Sequence, residues 1–332
     1  MKTVLITGGA GYVGSILAPK LLKKNFRVIV LDTLFFTDIG LEKIKSNPQL
    51  QIIEGDIRNP QTLKNSLKGV DAVIHLASIS NDPSSDLDPQ LTIEVNFDAT
   101  LNLIKIAKES GVQRFINAST SSVYGIKEAP NVTEDLPLEP LTIYSKTKAD
   151  AEPFVLKANS PDFVTVNIRP ATVCGYSPKM RLDLTVNILT MHALNKGKIT
   201  VFGGNQKRPN IHIEDITDYY VQLLEMPEEK IAGKTFNAGY ENFTVLNIAQ
   251  MVQEIVGKNV EIEVTPTNDN RSYHISSSKI EKELGLKPNK TIKDAVLDIK
   301  NAYEKGLLDW NNINFYNVKK MKFILEKQPL LS

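Results

Sequence analysis

One cysteine in 332 residues, Cys174, leaves nothing to pair in a disulfide and no second thiolate for a cysteine-based zinc site. Histidine is almost as scarce: His75, His192, His212 and His274 show no metal-ligand spacing, so no metal is expected. The chain has no run of about 18 apolar residues, the length a transmembrane helix needs. At the N-terminus the apolar run breaks at Gly8-Gly9, too early for a signal peptide. An excess of one charge is missing too. Lys and Arg number 39 against 38 Asp and Glu, a formal net charge of +1. That balance gives no electrostatic reason to expect nucleic acid or an anionic membrane as partner. Repeats and low-complexity tracts are also absent, and a reducing cytoplasm is the expected compartment.

What is present is an ordinary globular composition, 42% hydrophobic and 23% charged, with length enough for one large domain or two modest ones. Val4-Leu5-Ile6 is short, continuously apolar and β-branched, the pattern of a strand buried on both faces. Similar runs recur at Arg27–Asp32, Gln51–Asp56, Ala72–Ala77, Arg114–Ser119 and Val164–Ile168. Helical periodicity lies between most of them, as over Leu91–Ser110 and Tyr144–Lys157. This alternation predicts an α/β fold, a doubly wound parallel sheet of Rossmann type over residues 1–169.

After Arg169-Pro170 the rhythm changes. A turn at Gly175–Pro178, a helix over about Asp183–Asn195 and a strand at Ile199–Phe202 come next. The run Lys234–Gly239 reads as one more strand of the first sheet, so residues 208–240 return to the large domain. Residues 170–207 and 241–305 then form a smaller, interleaved substrate domain. It holds a helix from Thr244 to Val256, a strand Val260–Val264 and helices near Lys279–Leu284 and Ile292–Tyr303. The tail, 306–332, is mixed apolar and basic and has no assignment. Pro153 predicts a kink or an early end in the Tyr144 helix.

Gly8-x-x-Gly11-x-x-Gly14 falls between the first strand and the first helix. Glycines there let the backbone turn tightly and approach a pyrophosphate, which the helix N-terminus stabilises. Asp32 ends the second strand, where a carboxylate can accept from both ribose hydroxyls and repel a 2′-phosphate. The pair argues for NAD over NADP. Further along, Tyr144 and Lys148 stand at i and i+4 and so share a helix face. A phenol titrates near 10, and a neighbouring ammonium moves it toward the range of a general base. Thr120 can hold a substrate hydroxyl while the tyrosine takes its proton.

Together these residues resemble the extended short-chain dehydrogenase/reductases, specifically the nucleotide-sugar epimerases and dehydratases. The matching stretches are Thr7–Gly14, Asp32, Gly55-Asp56-Ile57, His75–Ser78, Asn96, Ser119–Gly125, Thr133–Asp135, Tyr144-x-x-x-Lys148, Arg208, His212–Asp215 and Ser278-Lys279. The resemblance implies that Tyr12, Val13, Leu76, Asn96 and Ser119 also meet the cofactor, with Asp56 and Ile57 by the adenine and Ala77-Ser78 along the cleft. It implies that Lys148 binds the nicotinamide ribose, and that Thr120 and Tyr144 contact the C4 hydroxyl of a nucleotide-diphosphate sugar. Ser121 and Thr172 fall on the substrate side, and Asn187, Arg208 and Arg271 are candidates for its diphosphate, with Lys179 and Arg181 as further cations. The loop Ala129–Pro140 is expected as one wall of the cleft. The helices Leu91–Ser110 and Tyr144–Lys157 are those that pair into a four-helix interface in homodimers of the family.

Dehydratases of this kind carry Asp-Glu directly after the active-site Thr, and the decarboxylating relatives place a Glu at the second position. Here those positions are Ser121 and Ser122, and a hydroxyl cannot do a carboxylate's proton work. The resemblance therefore implies a 4-epimerase that oxidises C4 and returns the hydride to the other face. A 4-dehydrogenase or 4-ketoreductase on a hexose or heptose nucleotide is the alternative, and a silent NAD-binding sensor is a third. The departures at Thr172 and Ser177–Asp183 leave the sugar open.

Overall fold

The computed structural model describes residues 1–129, 131–267, 272 and 274–327. Twelve strands occur among them: β1 (Thr3–Thr7), β2 (Arg27–Asp32), β3 (Leu50–Glu54), β4 (Ala72–His75), β5 (Arg114–Ala118), β6 (Val164–Pro170), β7 (Thr172–Cys174), β8 (Lys198–Phe202), β9 (Lys207–His212), β10 (Lys234–Ala238), β11 (Glu241–Thr244) and β12 (Glu261–Thr265). Seven of these make one parallel sheet in the order β10-β6-β5-β4-β1-β2-β3. The chain winds outward from β1 to β3, then returns to β4 on the other side of β1. That reversal opens a crevice at the carboxyl ends of β1 and β4, where open α/β sheets bind ligands.

Burial explains why these strands read as unbroken apolar runs. Val4, Ile6, Val28 and Val30 face one layer with Leu17 and Leu21, while Leu5, Ile29 and Leu31 face the opposite layer with Leu63, Leu103 and Phe115. Both faces are covered, so neither tolerates polar alternation. The return of β10 to pair with β6 matches the sequence expectation.

The smaller part has two short sheets, β11-β9-β7 and β12-β8. Strands β7, β9 and β11 were not expected. They run three to six residues, and β9 reads Lys-Arg-Pro-Asn-Ile-His, with no apolar alternation to betray it. Their pairing is decided by distant partners, Arg208 with Phe243 and Val173 with Ile211.

Two helices differ from expectation in ways that matter for the site. The stretch expected as one helix over Leu91–Ser110 is three consecutive pieces, Pro89–Ile93, a π-helical turn Glu94–Asp98, and Ala99–Glu109. A π turn carries one residue more and re-aims its side chains, and Asn96 sits in it. The helix Ile143–Ala158 does not end early at Pro153 but runs sixteen residues through it. Thr142 and Ser145 fix its start with a reciprocal capping box.

The tail has structure. A short turn Ile313–Phe315 precedes the helix Asn317–Lys327. Trp310 stacks edge-on against Tyr316, with ring centroids 5.9 Å apart, and the Leu182 N–H donates to the Phe315 carbonyl at 2.7 Å. The tail is thereby docked on the loop that follows β7.

Candidate active site

A cleft of about 620 Å³ follows the carboxyl ends of the central strands and extends under the smaller part. Its floor starts at the glycine-rich turn. Gly8 has φ +71°, and a Cβ there would lie 2.7 Å from the Ala77 backbone, so only glycine fits. A Cβ on Gly14 would lie 2.4 Å from the Gly9 carbonyl, whereas one on Gly11 would touch only the Gly8 carbonyl at 3.1 Å. The turn thus delivers an uncluttered backbone to the N-terminus of the helix Gly14–Lys23, whose first turn has no acidic residue to repel an anion.

Asp32 stands at the tip of β2 and is tied in place by two backbone donors, Ala10 N–H to Oδ2 and Leu34 N–H to Oδ1, both at 3.0 Å. Each oxygen keeps a lone pair for a ribose hydroxyl. Burial pushes its carboxyl above the ordinary carboxylate range, and the two backbone bonds and the Lys179 ammonium oppose that shift.

On the other wall, Tyr144 and Lys148 line the cleft one helical turn apart, and Thr120 lines it from the end of β5. The Thr120 hydroxyl accepts from Ser122 N–H at 3.2 Å and lies 3.0 Å from Ser122 Oγ, opening the turn Ser121–Tyr124. Thr142, at the head of the Tyr144 helix, donates to Asp82 at 2.7 Å. Burial lowers the Lys148 ammonium to about 8, and Glu152, one turn further on, pushes it back up. That value keeps most of the group charged at neutral pH.

NAD fits the groups that remain unsatisfied. The Lys148 residue is buried, yet its ammonium makes no hydrogen bond to the described residues. Ser119 Oγ, also buried and lining the cleft, has no partner among them either. A buried donor without a partner is costly, and ribose hydroxyls on a bound dinucleotide relieve it.

Of the residues singled out in the sequence, Gly8, Gly11, Tyr12, Val13, Gly14, Asp32, Asp56, Ile57, Leu76, Ala77, Ser78 and Ser119 meet along the dinucleotide side of the cleft. Thr120, Ser121, Tyr144, Lys148, Thr172 and Arg208 line it as well. Two are not brought into it. Asn96 spends its amide on Ile79, accepting from the N–H at 2.8 Å and donating to the carbonyl at 3.0 Å. It braces the loop after β4 that carries Ser78. Asn187 is fully buried and spends both amide hydrogens on Tyr12 Oη (3.1 Å) and the Arg181 carbonyl (2.9 Å). It is a brace for the glycine-rich turn and not a diphosphate ligand. Arg271 lies outside the described residues. The loop Ala129–Pro140 was expected as a wall, but none of its described residues lines the cleft. Val132 enters the core and Glu134 accepts from Asn237 N–H at 2.7 Å, so the loop backs β10.

Some lining residues, and the pairings of others, were not foreseen. Arg58 grips Asp56 through Nε and Nη2, at 3.0 and 2.9 Å, so the carboxylate expected by the adenine is already paired. Arg181 bonds Asp183 at 2.9 Å and the Ser80 carbonyl at 3.2 Å, joining the loop after β7 to the loop after β4. From the tail, Asn317, Val318, Met321 and Ile324 present one helical face to the cleft. No group of His, Cys, Asp and Glu that could hold a metal occurs among the described residues, nor does a helix long and apolar enough to cross a membrane.

Comparison with known proteins places this geometry. The model of the NAD dependent epimerase/dehydratase family matches residues 4–239. A UDP-glucose 4-epimerase of Lactobacillus helveticus is 28% identical over 315 residues, covering 89% of this chain and 94% of that protein. UDP-glucuronic acid decarboxylase 1 of Arabidopsis thaliana is 30% identical over 323 residues, covering 92% and 71%. Among solved structures, UDP-glucuronic acid 4-epimerase from Bacillus cereus, in complex with UDP-glucuronic acid and NAD, superposes with a TM-score of 0.82. It is 29% identical, and the match covers 92% of this chain and all of that one.

Proposed function

The chain belongs to the NAD-dependent epimerase/dehydratase family, and we propose that within it the protein is a nucleotide-sugar 4-epimerase. One observation carries this reading: the turn that follows Thr120 presents Ser121 and Ser122 to the cleft, where elimination or decarboxylation would need a carboxylate. Of the nearby acids, Asp183 already accepts from Arg181, Asn81 and the Asn317 N–H, and Asp82 from Thr142. What is left is a tyrosine base, a lysine and a threonine.

When bound, NAD would supply the acceptor for the C4 hydride and the donor for its return. The residues of this chain handle everything else. Tyr144 takes the proton of the C4 hydroxyl as the C–H bond breaks, leaving a 4-keto sugar, and gives the proton back on the return step. Lys148 holds the cofactor ribose and stabilises the phenolate. Thr120 keeps the hydroxyl aligned with the tyrosine. The sugar must turn over between the two transfers, and Thr172 and Arg208 line the side on which it would do so.

A homodimer belongs to the same reading. Phe154, on the outer face of the Tyr144 helix, is 47% exposed and meets Phe97 edge-on at 5.8 Å, an apolar surface where the two helices of the expected interface lie side by side. Light scattering at twice the chain mass supports it; a monomer at micromolar concentration removes it.

The decisive experiment incubates the purified protein with a panel of nucleotide sugars, without added cofactor, and follows product mass and absorbance at 340 nm. A product of unchanged mass, with no net absorbance change and with Tyr144→Phe inactive, supports the epimerase. A product two hydrogens lighter that appears only with added NAD makes the protein a 4-dehydrogenase instead.

A further inference from the structure

The loop between β7 and the helix Thr185–Lys196 buries a lysine that the proposed chemistry does not use. Lys179 is only 2% exposed and lines the cleft. Among the described residues it forms no ion pair. Its one hydrogen bond goes to a neutral acceptor, Asn317 Oδ1, at 3.3 Å, and Phe36 lies under it with the ring centroid at 5.2 Å. Asp183, the acid of its own loop, is taken up by Arg181, Asn81 and Asn317. Asp183 and Asp32 attract it only from beyond salt-bridge distance, and a buried ammonium with no paired counter-ion is expensive, unless an anion comes to it.

The surroundings say which anion. Ser177, two residues earlier, donates to the Tyr12 carbonyl at 2.8 Å, and Tyr12 Oη donates to the Gly175 carbonyl at 2.6 Å, so the loop is stapled to the glycine-rich turn. Gly40 fits between Lys179 and the first turn of the helix Gly14–Lys23. A Cβ on it would lie 3.0 Å from Lys179 Cβ and 1.8 Å from Ser15 Oγ. Asp32, at the ribose position, feels the same ammonium. The lysine therefore stands between the ribose carboxylate and the helix N-terminus, where the pyrophosphate of a dinucleotide lies.

We propose that Lys179 is a cofactor-binding residue supplied by the smaller part of the molecule: its ammonium faces the pyrophosphate of NAD across the cleft from the glycine-rich turn, and Asn317 of the C-terminal helix sets its position. The tail, beyond the reach of the family model, thus acts on how firmly NAD is held. This inference rests on NAD binding and not on the C4 chemistry, so either can fail alone.

Calorimetric titration of the full-length protein, freed of nucleotide, with NAD, ADP and adenosine tests it. Lys179→Met should weaken NAD and ADP by about tenfold or more, the scale of a lost charge-assisted contact, and leave adenosine unchanged. Lys179→Arg should restore much of the loss, and Asn317→Ala should shift ADP in the same direction by a few-fold. Unchanged ADP affinity in Lys179→Met, or an equal loss for adenosine, overturns the assignment. If the methionine variant does not fold, Lys179→Gln, which keeps a polar end, is held to the same two comparisons.

Discussion

Arg169 grips Glu152 through three hydrogen bonds of 2.6 to 3.2 Å, with both side chains buried, and its remaining Nη1 donates to Tyr124 Oη at 2.6 Å. Glu152 is one turn beyond Lys148 on the Tyr144 helix, and Tyr124 closes the turn that begins at Thr120. The pair therefore ties the helix carrying the proposed base, Tyr144, to the turn carrying Thr120. Tyr124 in turn donates to Asn237 Oδ1 at 2.8 Å, which fastens the assembly to β10.

Removing the charge from Glu152 tests this tie. Glu152→Gln leaves Arg169 buried with no counter-ion, and breaking one side of a buried pair costs about 3–5 kcal/mol. Urea unfolding should show that loss as a lower midpoint at unchanged slope. Lys148 also loses the carboxylate that holds its pKa up, so it should deprotonate at lower pH than in the parent. A variant as stable as the parent would mean that Arg169 finds another partner.

Thr120 should separate hydroxyl from shape. Thr120→Val keeps the volume but removes the hydroxyl proposed to align the substrate, and kcat should fall on the order of 10- to 100-fold. Thr120→Ser should keep most of the rate. The valine also removes the acceptor for Ser122 N–H, so a matched thermal melt is needed. Equal rates for both variants would take Thr120 out of the mechanism.

Much of what lines the cleft was legible because it is local. The glycine turn, Asp32, the Thr120 turn and the Tyr144–Lys148 pair are each set by a few consecutive residues with one physical job. The misassignments arise where a side chain's target lies far along the chain. Asn187 looked available for a phosphate, yet its partner Tyr12 is 175 residues away, and Asn96 was aimed at Ile79 by a π turn that no periodicity announces. The tail was illegible for the same reason. Asn317 means little until Asp183, Lys179 and Ser80 are seen around it.

Asp32→Ala should weaken NAD more than NADP. At the proposed ribose site the carboxylate would accept from the ribose in the first case and repel a 2′-phosphate in the second. Dissociation constants for both cofactors decide it, and an unchanged ratio removes Asp32 from the ribose site.

Cys174 offers a simple check on the packing under the cleft. It is buried in the core of the smaller part, and burial pushes its thiol well above the ordinary range. The native protein should react with no maleimide over minutes, and one equivalent should react in urea. Labelling of the native state at the unfolded rate would contradict the burial.

His75 predicts how the protein meets acid. It is fully buried at the end of β4, and burial, with Lys148 nearby, lowers its pKa to about 3. Hydrogen bonding fixes the tautomer. Thr100 donates its hydroxyl hydrogen to the Asn96 carbonyl at 2.9 Å and so must accept from Nε2 at 2.8 Å, while Nδ1 accepts from Thr7 Oγ1 at 2.7 Å. A second proton on Nδ1 would face a hydroxyl already oriented toward it. Below the unfolded value of about 6.5 the unfolded chain binds a proton that the folded one refuses. Stability should therefore fall as pH drops from 6.5 toward 3, by roughly a kcal/mol per pH unit from this group alone, and be indifferent to it above 6.5. His75→Gln cannot titrate, so its unfolding midpoints between pH 4 and 6.5 should decline less steeply than the parent's, by about one proton. Parallel slopes would show that His75 takes up its proton while folded.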